Sequence, residues 1–219
     1  MKEMNKMSET QSVATDLSSL LKGLPSNGPF PDPEVLNYYK MLQNRKLWFD
    51  ISVDETALDF IRLIMLFNME DVQANIPIKE RKPIWIYIEN YGGDADMMWA
   101  LIDAIKTSAT PVYVVNMGIA ASAAGIIFIA GHKRFMMPSA HVLIHEGSGF
   151  IKGDAVKILD QADSYQKELS RMRSFILDHT EIPASTLKKK RNNDWDISAE
   201  DCLKYGICDV IVERMDEIL

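Results

Sequence analysis

One serine stands in an otherwise small and apolar stretch of the sequence, NMGIAASAAGIIFIAG, from Asn116 to Gly131. Serine is a weak nucleophile unless a neighbouring base takes its proton, and that base needs a third group to hold its tautomer. Ser122 is therefore a candidate nucleophile only if the fold brings a histidine beside it. The alternative is a helix-interior serine whose hydroxyl bonds to a carbonyl one turn earlier.

Four histidines are candidates for that base: His132, His141, His145 and His179. His132 lies at a predicted helix end, and His179 ends a long helical pattern, where a positive ring suits the helix dipole. His141 and His145 flank VLI in one predicted strand, where residues four apart share a face. His145 is the better candidate because it ends the strand and precedes EGSG, a loop that could line a cleft. The alternative is a strand-end histidine bonded to local backbone.

The composition sets limits on the class of protein. A chain of 219 residues with 47% hydrophobic residues can bury the core of one ordinary domain. The net charge of -7 argues against nucleic acid as the main partner, because phosphate binding needs clustered Lys and Arg. Cys202 and Cys208 lack the partner ligands of a zinc site, so we expect no metal and a reducing compartment. The polar start predicts a cytoplasmic, not a secreted, protein.

The segment from Val112 to Ala130 carries no charge and has nearly the length of a membrane span. Its first part, PVYVV, is a β-branched run behind a proline, and NMG interrupts the segment before a tract of alanines. A buried strand, a tight turn and a buried helix are therefore favoured over a membrane helix, and we expect no membrane partner.

The order of predicted strands and helices indicates an α/β layered domain. A helix capped by Asp54 precedes a strand, a glycine turn and a second helix; another strand and helix follow, and then two short strands. The corresponding segments are ETALDFIRLIMLFNME, PIWIYIEN, YGGDADMMWALIDAIKT, PVYVVNM, ASAAGIIFIAG, FMMP and HVLIHE. After Pro183 we expect a short helix, the capped segment SAEDCLKYG and a last strand, CDVIVE. Residues 1–32, rich in Ser, Asn, Gly and Pro, are predicted to be a mobile arm, and residues 33–219 the folded domain.

The longest helical pattern runs from Asp154 to His179 and has a strongly polar face. A helix of this length spans about 39 Å, which favours one that projects and packs on a partner. The alternative is a surface helix that lies on its own sheet. Its apolar stripe consists of Ile158, Ala162, Tyr165, Leu169, Met172 and Ile176.

Four motifs in this order resemble the proteolytic subunit of the Clp protease, the ClpP family of serine peptidases. They are YGG at Tyr91 to Gly93, MGIAAS at Met117 to Ser122, HVLIHEG at His141 to Gly147 and DWDISAEDCLKYGICD at Asp194 to Asp209. The similarity runs from about Pro33 to Val212, and the long helix matches the family's handle between rings.

The resemblance implies a crotonase-like α/β fold with a projecting handle helix, in which Ser122 is the nucleophile and His145 the general base. It implies that Asp194 orients that base, by counting back from SA at 198–199. The backbone N–H groups of Gly93 and Ala123 would form the oxyanion hole.

The resemblance also implies that an extended peptide pairs with the chain as a strand. The segments that would contact it hold Asp94, Ala95, Glu146, Gly147 and Ser148. Asp196 matches a position that is usually aromatic in the family, and we expect it to be a solvated or capping residue.

The family implies heptameric rings stacked as a tetradecamer, unfolded polypeptides as substrate and an AAA+ Clp unfoldase as partner. ATP would be used only by that partner, and this chain would need no cofactor. The sequence departs from the family pattern at Ala123-Ala124, where Met-Gly is usual, at Glu146-Gly147, where Gln-Pro is usual, and at Asn193, where an Arg bridges rings. These departures concern the substrate cleft and ring stacking.

Three other functions compete with this one. A crotonase-type hydratase or isomerase acting on acyl thioesters would keep the fold, but it does not need Ser122, His145 and Asp194 together. A catalytically weak or inactive ring subunit would support an active paralogue. A membrane-bound signal-peptide peptidase would pair serine with lysine and would need an anchor, for which the sequence shows no convincing candidate.

Overall fold

The computed structural model describes residues 33–147, 153–190 and 193–219. The chain forms two compact units, Met1–Lys40 and Met41–Leu219. In the first unit, the described residues are 33–40, which begin helix α1, Pro33–Gln43. The predicted arm, residues 1–32, lies outside the described residues. The sheet and the candidate site belong to the second unit.

Strands and helices alternate along the second unit, as the sequence predicted. The strands are β1 (Lys46–Phe49), β2 (Ile84–Asn90), β3 (Val112–Ala121), β4 (Lys133–Met136), β5 (His141–Ile144), β6 (Trp195–Ser198) and β7 (Val210–Ile211). The helices are α2 (Ala57–Gln73), α3 (Ala95–Thr107), α4 (Ala123–Ile129), α5 (Ala155–His179), α6 (Ala184–Lys190) and α7 (Ala199–Lys204), with short 3-10 helices at Ile78–Glu80 and Met215–Ile218.

The described strands form one mostly parallel sheet in the order β1-β2-β3-β4-β7, from which β5 and β6 branch. The long strand β3 makes this branch possible: its first part pairs with β4, and Ile119–Ala121 pair in parallel with β5. Strand β6 then runs antiparallel to β5. The α/β class predicted from the sequence is confirmed, and the branch brings the ends of β3 and β5 close to the start of β6.

The uncharged segment from Val112 to Ala130 forms β3 and α4, both of which lie in the core. All seven residues of α4 are buried, and Val112 and Val114 of β3 are fully buried. Burial inside the sheet and helix layers thus explains the lack of charge. In the described part of the chain, no helix is long and apolar enough to cross a membrane.

Strand β3 continues through Asn116, Met117 and Gly118, so the predicted tight turn at NMG is wrong. The buried Asn116 side chain supplies hydrogen bonds here in place of regular strand-to-strand backbone bonds. Its Nδ2 donates to the carbonyl of His141 (2.8 Å), and its Oδ1 accepts from Gly118 N–H (3.1 Å). The pairing with β2 shifts register at this point. A polar side chain that satisfies the backbone lets the strand extend past the glycine.

The predicted cap at Asp54 is also wrong. Helix α2 begins at Ala57, after Thr56, and Asp54 Oδ1 accepts from Thr56 N–H (2.9 Å) in the turn before the helix. Strands β1 and β6 and helix α1 were not predicted. The first two have only four residues each, so their alternating pattern is too short to stand out.

Helix α5 begins at Ala155, and Asp154 caps it by accepting from Lys157 N–H (3.0 Å). Its C-terminal half packs on the core through Met172, Phe175 and the buried Ile176. Its first two turns are exposed on all sides. The predicted stripe is therefore exposed at Ile158, partly covered from Ala162 to Met172 and buried at Ile176.

Candidate active site

Ser122 lies at the junction between β3 and α4, outside the helix. Its backbone has φ 56° and ψ −126°, a conformation that few residues other than glycine adopt. Its N–H donates to the carbonyl of Leu143 (2.9 Å), and its hydroxyl does not cap α4. The helix-interior alternative is wrong, because a sharp turn presents this hydroxyl at the end of a strand.

The glycines after β2 let another backbone segment approach this turn closely. A Cβ added to Gly92, which has φ 99°, would lie 2.7 Å from Ser122 Cβ. The next residue, Gly93, forms a parallel bridge with Val53, in which Val53 N–H and Asp94 N–H donate the two hydrogen bonds. This bridge does not use the N–H of Gly93.

The first N–H groups of a helix have no acceptor within that helix. Ala123 is the first residue of α4, so its N–H is of this kind. The predicted oxyanion-hole donors, Gly93 and Ala123, thus come from two segments that meet at Ser122. An N–H group at the start of a helix suits a negative charge that develops beside the serine.

His145 is within hydrogen-bond distance of Ser122: its Nε2 lies 2.7 Å from the serine Oγ. The parallel pairing of Ala121 with Leu143 brings the ends of β3 and β5 side by side, and His145 comes directly after β5. With its proton on Nδ1, this ring accepts from the hydroxyl through Nε2. The pair can therefore act as nucleophile and general base.

Asp194 lies near the same histidine but makes no hydrogen bond to it. The distance between His145 Nδ1 and Asp194 Oδ1 is 3.9 Å, and the Asp194 side chain is 76% exposed. Ile144 pairs with Trp195, so His145 and Asp194 are opposite each other one position further along the ladder.

Asp196 is solvated, one of the two predicted alternatives, with 61% of its side chain exposed, and it is not a capping residue; its pairing with a histidine was not predicted. Its Oδ1 lies 2.7 Å from Nδ1 of His141. The cap of α7 is Ser198, whose Oγ accepts from Asp201 N–H (3.3 Å). Sequence reasoning missed this pair because it did not recognise β6 as a strand.

The predicted substrate contacts on the β2 side are at the start of α3. Asp94 caps this helix through a hydrogen bond from Met97 N–H to its Oδ1 (2.9 Å), and Ala95 is its first residue. Both residues are exposed. Residues 93–95 are therefore an exposed segment that begins directly after Gly92, the residue that lies against Ser122.

On the other side of the site, α5 holds Glu146. The Glu146 carbonyl accepts from the Tyr165 hydroxyl (3.1 Å), and its carboxylate accepts from Nε of Arg173 (2.8 Å). Gly147 is exposed, with φ 77°, and Ser148 lies outside the described residues. The sequence predicted that Glu146 lies in this loop, but its pairing with Arg173 was not predicted. The opposite charges on a loop and a nearby helix could have indicated that pair.

A small, partly open pocket lies beside His145. Its walls are mostly apolar, with charged groups among them, and neither its lining nor its position was predicted. It is lined by Ile144, His145, Glu146, Leu169, Met172, Arg173, Ile176, Leu187, Lys190 and Trp195.

The other two histidines have structural contacts. Nδ1 of His132 accepts a hydrogen bond from Val112 N–H (2.9 Å). Burial lowers the pKa of the His132 ring, and the nearby charge of Lys106 lowers it further. His179 bonds to the carbonyl of Phe175 through Nδ1 (2.8 Å) and stacks on the Phe175 ring. The structural interpretation of both residues is confirmed.

The two cysteines are poor candidates for a nucleophile. Both are buried and free. Burial raises the pKa of the Cys202 thiol far above neutrality. Burial, together with the nearby charge of Asp209, raises the pKa of the Cys208 thiol to about 11. Across residues 33–147, 153–190 and 193–219, no group of three or more His, Cys, Asp or Glu side chains is placed to hold a metal ion.

Comparison with known proteins places this geometry in context. The family model described as Clp protease matches residues 34–215. The ATP-dependent Clp protease proteolytic subunit 2 of Treponema denticola is 37% identical over 182 residues, which cover 82% of this chain and 87% of that protein. The protein of the same name from Treponema pallidum is 27% identical (84% and 90% covered), and proteolytic subunit 1 of Bacillus cereus is 27% identical (81% and 89% covered).

Proposed function

Because the chain belongs to the Clp protease family, we propose that it is a serine endopeptidase with Ser122 as nucleophile, His145 as general base and Asp194 as the residue that orients the base. Its substrates would be unfolded polypeptides or peptides. The observation that carries this proposal is the 2.7 Å distance between Ser122 Oγ and His145 Nε2. Both groups lie where two strands end; the close approach of Gly92 to Ser122 and the position of Ala123 at the start of α4 support backbone donors from Gly93 and Ala123.

In the proposed reaction, Ser122 Oγ attacks the carbonyl carbon of the scissile amide while its proton passes to His145 Nε2. The N–H groups of Gly93 and Ala123 stabilise the oxyanion of the tetrahedral intermediate. His145 then gives its proton to the leaving amine, which leaves an acyl group on the serine. Water, deprotonated by the same imidazole, hydrolyses that ester and restores Ser122.

The proposed assembly is a heptameric ring, stacked in pairs as a tetradecamer, that encloses the sites in a chamber. Support comes from the first two turns of α5, where Val156 is 67% and Leu159 is 70% exposed. Apolar side chains in this position favour burial against a second copy of the chain. In the cytoplasm, an AAA+ Clp unfoldase would feed substrates into the chamber. Only that unfoldase would use ATP.

The test combines a fluorogenic peptide with a fluorophosphonate probe that labels activated serines. The wild-type protein should cleave the peptide and take up one probe per chain, whereas Ser122→Ala should do neither and assemble normally. Ser164→Ala, at an exposed position of α5, is the matched control and should retain both activities. Full cleavage by Ser122→Ala would end the serine-peptidase proposal.

One observation favours a second candidate, a catalytically weak ring subunit that supports an active paralogue. The separation of 3.9 Å between His145 Nδ1 and Asp194 Oδ1 leaves the histidine without its orienting hydrogen bond. An intact ring that neither cleaves peptide nor reacts with the probe would favour this function. An acyl-thioester enzyme has no need of the contact between Ser122 and His145, and nothing in the site favours it.

A further inference from the structure

Two His–Asp pairs lie side by side on one face of the β5–β6 ladder. In the antiparallel register, Leu143 is opposite Asp196 and His141 is opposite Ser198. Side chains two residues apart share a face of a strand. The exposed face therefore carries His141 and His145 on β5, and Asp194 and Asp196 on β6 and its entry.

We propose that His141 and Asp196 are a positioning pair, whose hydrogen bond fixes β6 against β5 and thereby sets where Asp194 stands relative to His145. The proposal rests on the proposed function, in which His145 is the base and Asp194 its orienting group. Neither His141 nor Asp196 would touch the substrate.

The first argument is the weak attachment of the strand that carries Asp194. Among the described strands, β6 pairs with β5 alone, and it is only four residues long. One face of the ladder is held by the buried Trp195 and Ile197. On the exposed face, the hydrogen bond of 2.7 Å between His141 and Asp196 is the side-chain bond that joins the two strands in this part of the structure.

The second argument is that Asp196 is diagonal to both histidines. Diagonal neighbours across an antiparallel pair are within reach of long or polar side chains. The bond to His141 holds the Asp196 carboxylate on the side away from His145. Without it, Asp196 would be free to swing toward His145 and to compete with Asp194 for the ring.

The third argument is that few side-chain contacts fix the position of Asp194. Its side chain is 76% exposed and stands 3.9 Å from the imidazole. Its position therefore follows the backbone of β6, and a shift of that strand moves the carboxylate by the same amount. Misplacement of a catalytic group by about 1 Å costs up to about a hundredfold in rate.

The test measures kcat, KM and the rate of fluorophosphonate labelling in four variants. His141→Ala and Asp196→Ala should each lower kcat about tenfold and leave KM within about twofold, because the substrate contacts stay. Asp196→Asn keeps an oxygen that accepts from His141 and should recover most of the loss. The matched control is Asp216→Ala, which should not change kcat. This variant removes an exposed carboxylate of the C-terminal 3-10 helix that pairs with Arg214.

A double-mutant cycle separates positioning from a purely structural role. In an Asp194→Asn background, His141→Ala should cost less than about twofold in labelling rate, because the group that it positions is already gone. The same tenfold loss in both backgrounds would overturn the proposal, as would unchanged kcat in His141→Ala and Asp196→Ala.

A readout independent of cleavage keeps this test distinct from that of the proposed function. Nitrogen-15 spectra of the histidine rings report which nitrogen of His145 carries the proton. If the wild-type protein does not cleave peptide, the proposed function fails, and the tautomer decides the positioning role by itself. Asp196→Ala should shift the His145 tautomer in the same direction as Asp194→Asn, and an unchanged spectrum would overturn the proposal.

Discussion

His145 and Asp194 face each other across the antiparallel ladder of β5 and β6, one position beyond the pair Ile144 and Trp195. Their side chains stop 3.9 Å apart, just outside hydrogen-bond distance. Catalytic hydrogen bonds are often long in structures without substrate and tighten when substrate binds. The antiparallel register therefore brings the two groups close to each other without a hydrogen bond between them.

From this relationship we predict that Asp194→Asn lowers kcat by about 10⁴, the loss that follows when a triad histidine loses its orienting carboxylate. Asp196→Asn should be far milder, because Asp196 bonds to His141 and an amide oxygen can replace its acceptor. Steady-state cleavage of one fluorogenic peptide measures both. If Asp196→Asn were the crippling change, Asp196 and not Asp194 would be the partner of His145.

The proximity of Ser122 and His145 could be predicted from the sequence because both residues lie at the ends of strongly patterned elements. The hydrophobic runs of β3 and β5 are easy to recognise, and residues just after parallel strands meet at one edge. The contact of Asp196 with His141 could not be predicted in the same way. It depends on the antiparallel register of β6, a four-residue strand whose alternation is too short to recognise.

The second prediction concerns the ion pair that holds the residue after His145. Arg173 Nε lies 2.8 Å from Glu146 Oε1, and both side chains are mostly shielded from water, at 35% and 26% exposure. Arg173→Ala should lower kcat about tenfold, because a charge-assisted hydrogen bond then no longer fixes the loop that begins at His145. Peptide cleavage with a check of assembly by native mass spectrometry measures this.

Reversing the two charges provides the decisive control for this pair. The double variant Glu146→Arg with Arg173→Glu should recover part of the activity that either single variant loses. Lys167→Ala breaks an exposed ion pair with Asp163 on the same helix and should leave kcat unchanged. A reversed pair no better than the worse single variant would mean that the two residues act separately.

The third prediction concerns stability and its dependence on pH. Asp71 is 1% exposed and accepts hydrogen bonds from Arg45 (2.6 Å) and from Thr110 (2.7 Å). The Arg45 hydrogen bond is the main cause that holds the pKa of Asp71 below its ordinary value. A carboxylate with a lowered folded-state pKa stabilises the protein above its unfolded-state pKa, about 3.9, and loses this contribution as the pH falls through the folded-state value.

Asp71→Asn should therefore lower the free energy of unfolding at pH 7 by about 3 kcal/mol, because it removes the carboxylate that accepts two hydrogen bonds from Arg45 and leaves that guanidinium, among the described carboxylates, only the more distant one of Glu70, at 3.9 Å. The difference from wild type should shrink as the pH falls below about 4. Urea unfolding at several pH values measures it. Asp59→Asn is the control: its ion pair with Arg62 is 69% exposed on both sides, and its loss should cost about 0.5 kcal/mol or less. A difference independent of pH would contradict the assigned role of the charge.

The last prediction concerns assembly through the exposed end of α5. Val156 and Leu159 are three residues apart and share a helix face, and they are 67% and 70% exposed. If this face packs on a second copy, Val156→Glu with Leu159→Glu would bury charge without a partner, so stacked rings should separate into smaller species. Native mass spectrometry at several protein concentrations measures this. Gln161→Glu adds charge on the opposite face of the same helix and should leave the mass unchanged. If the double variant keeps the full mass of the wild type, the copies meet through another surface and α5 is not the contact between rings.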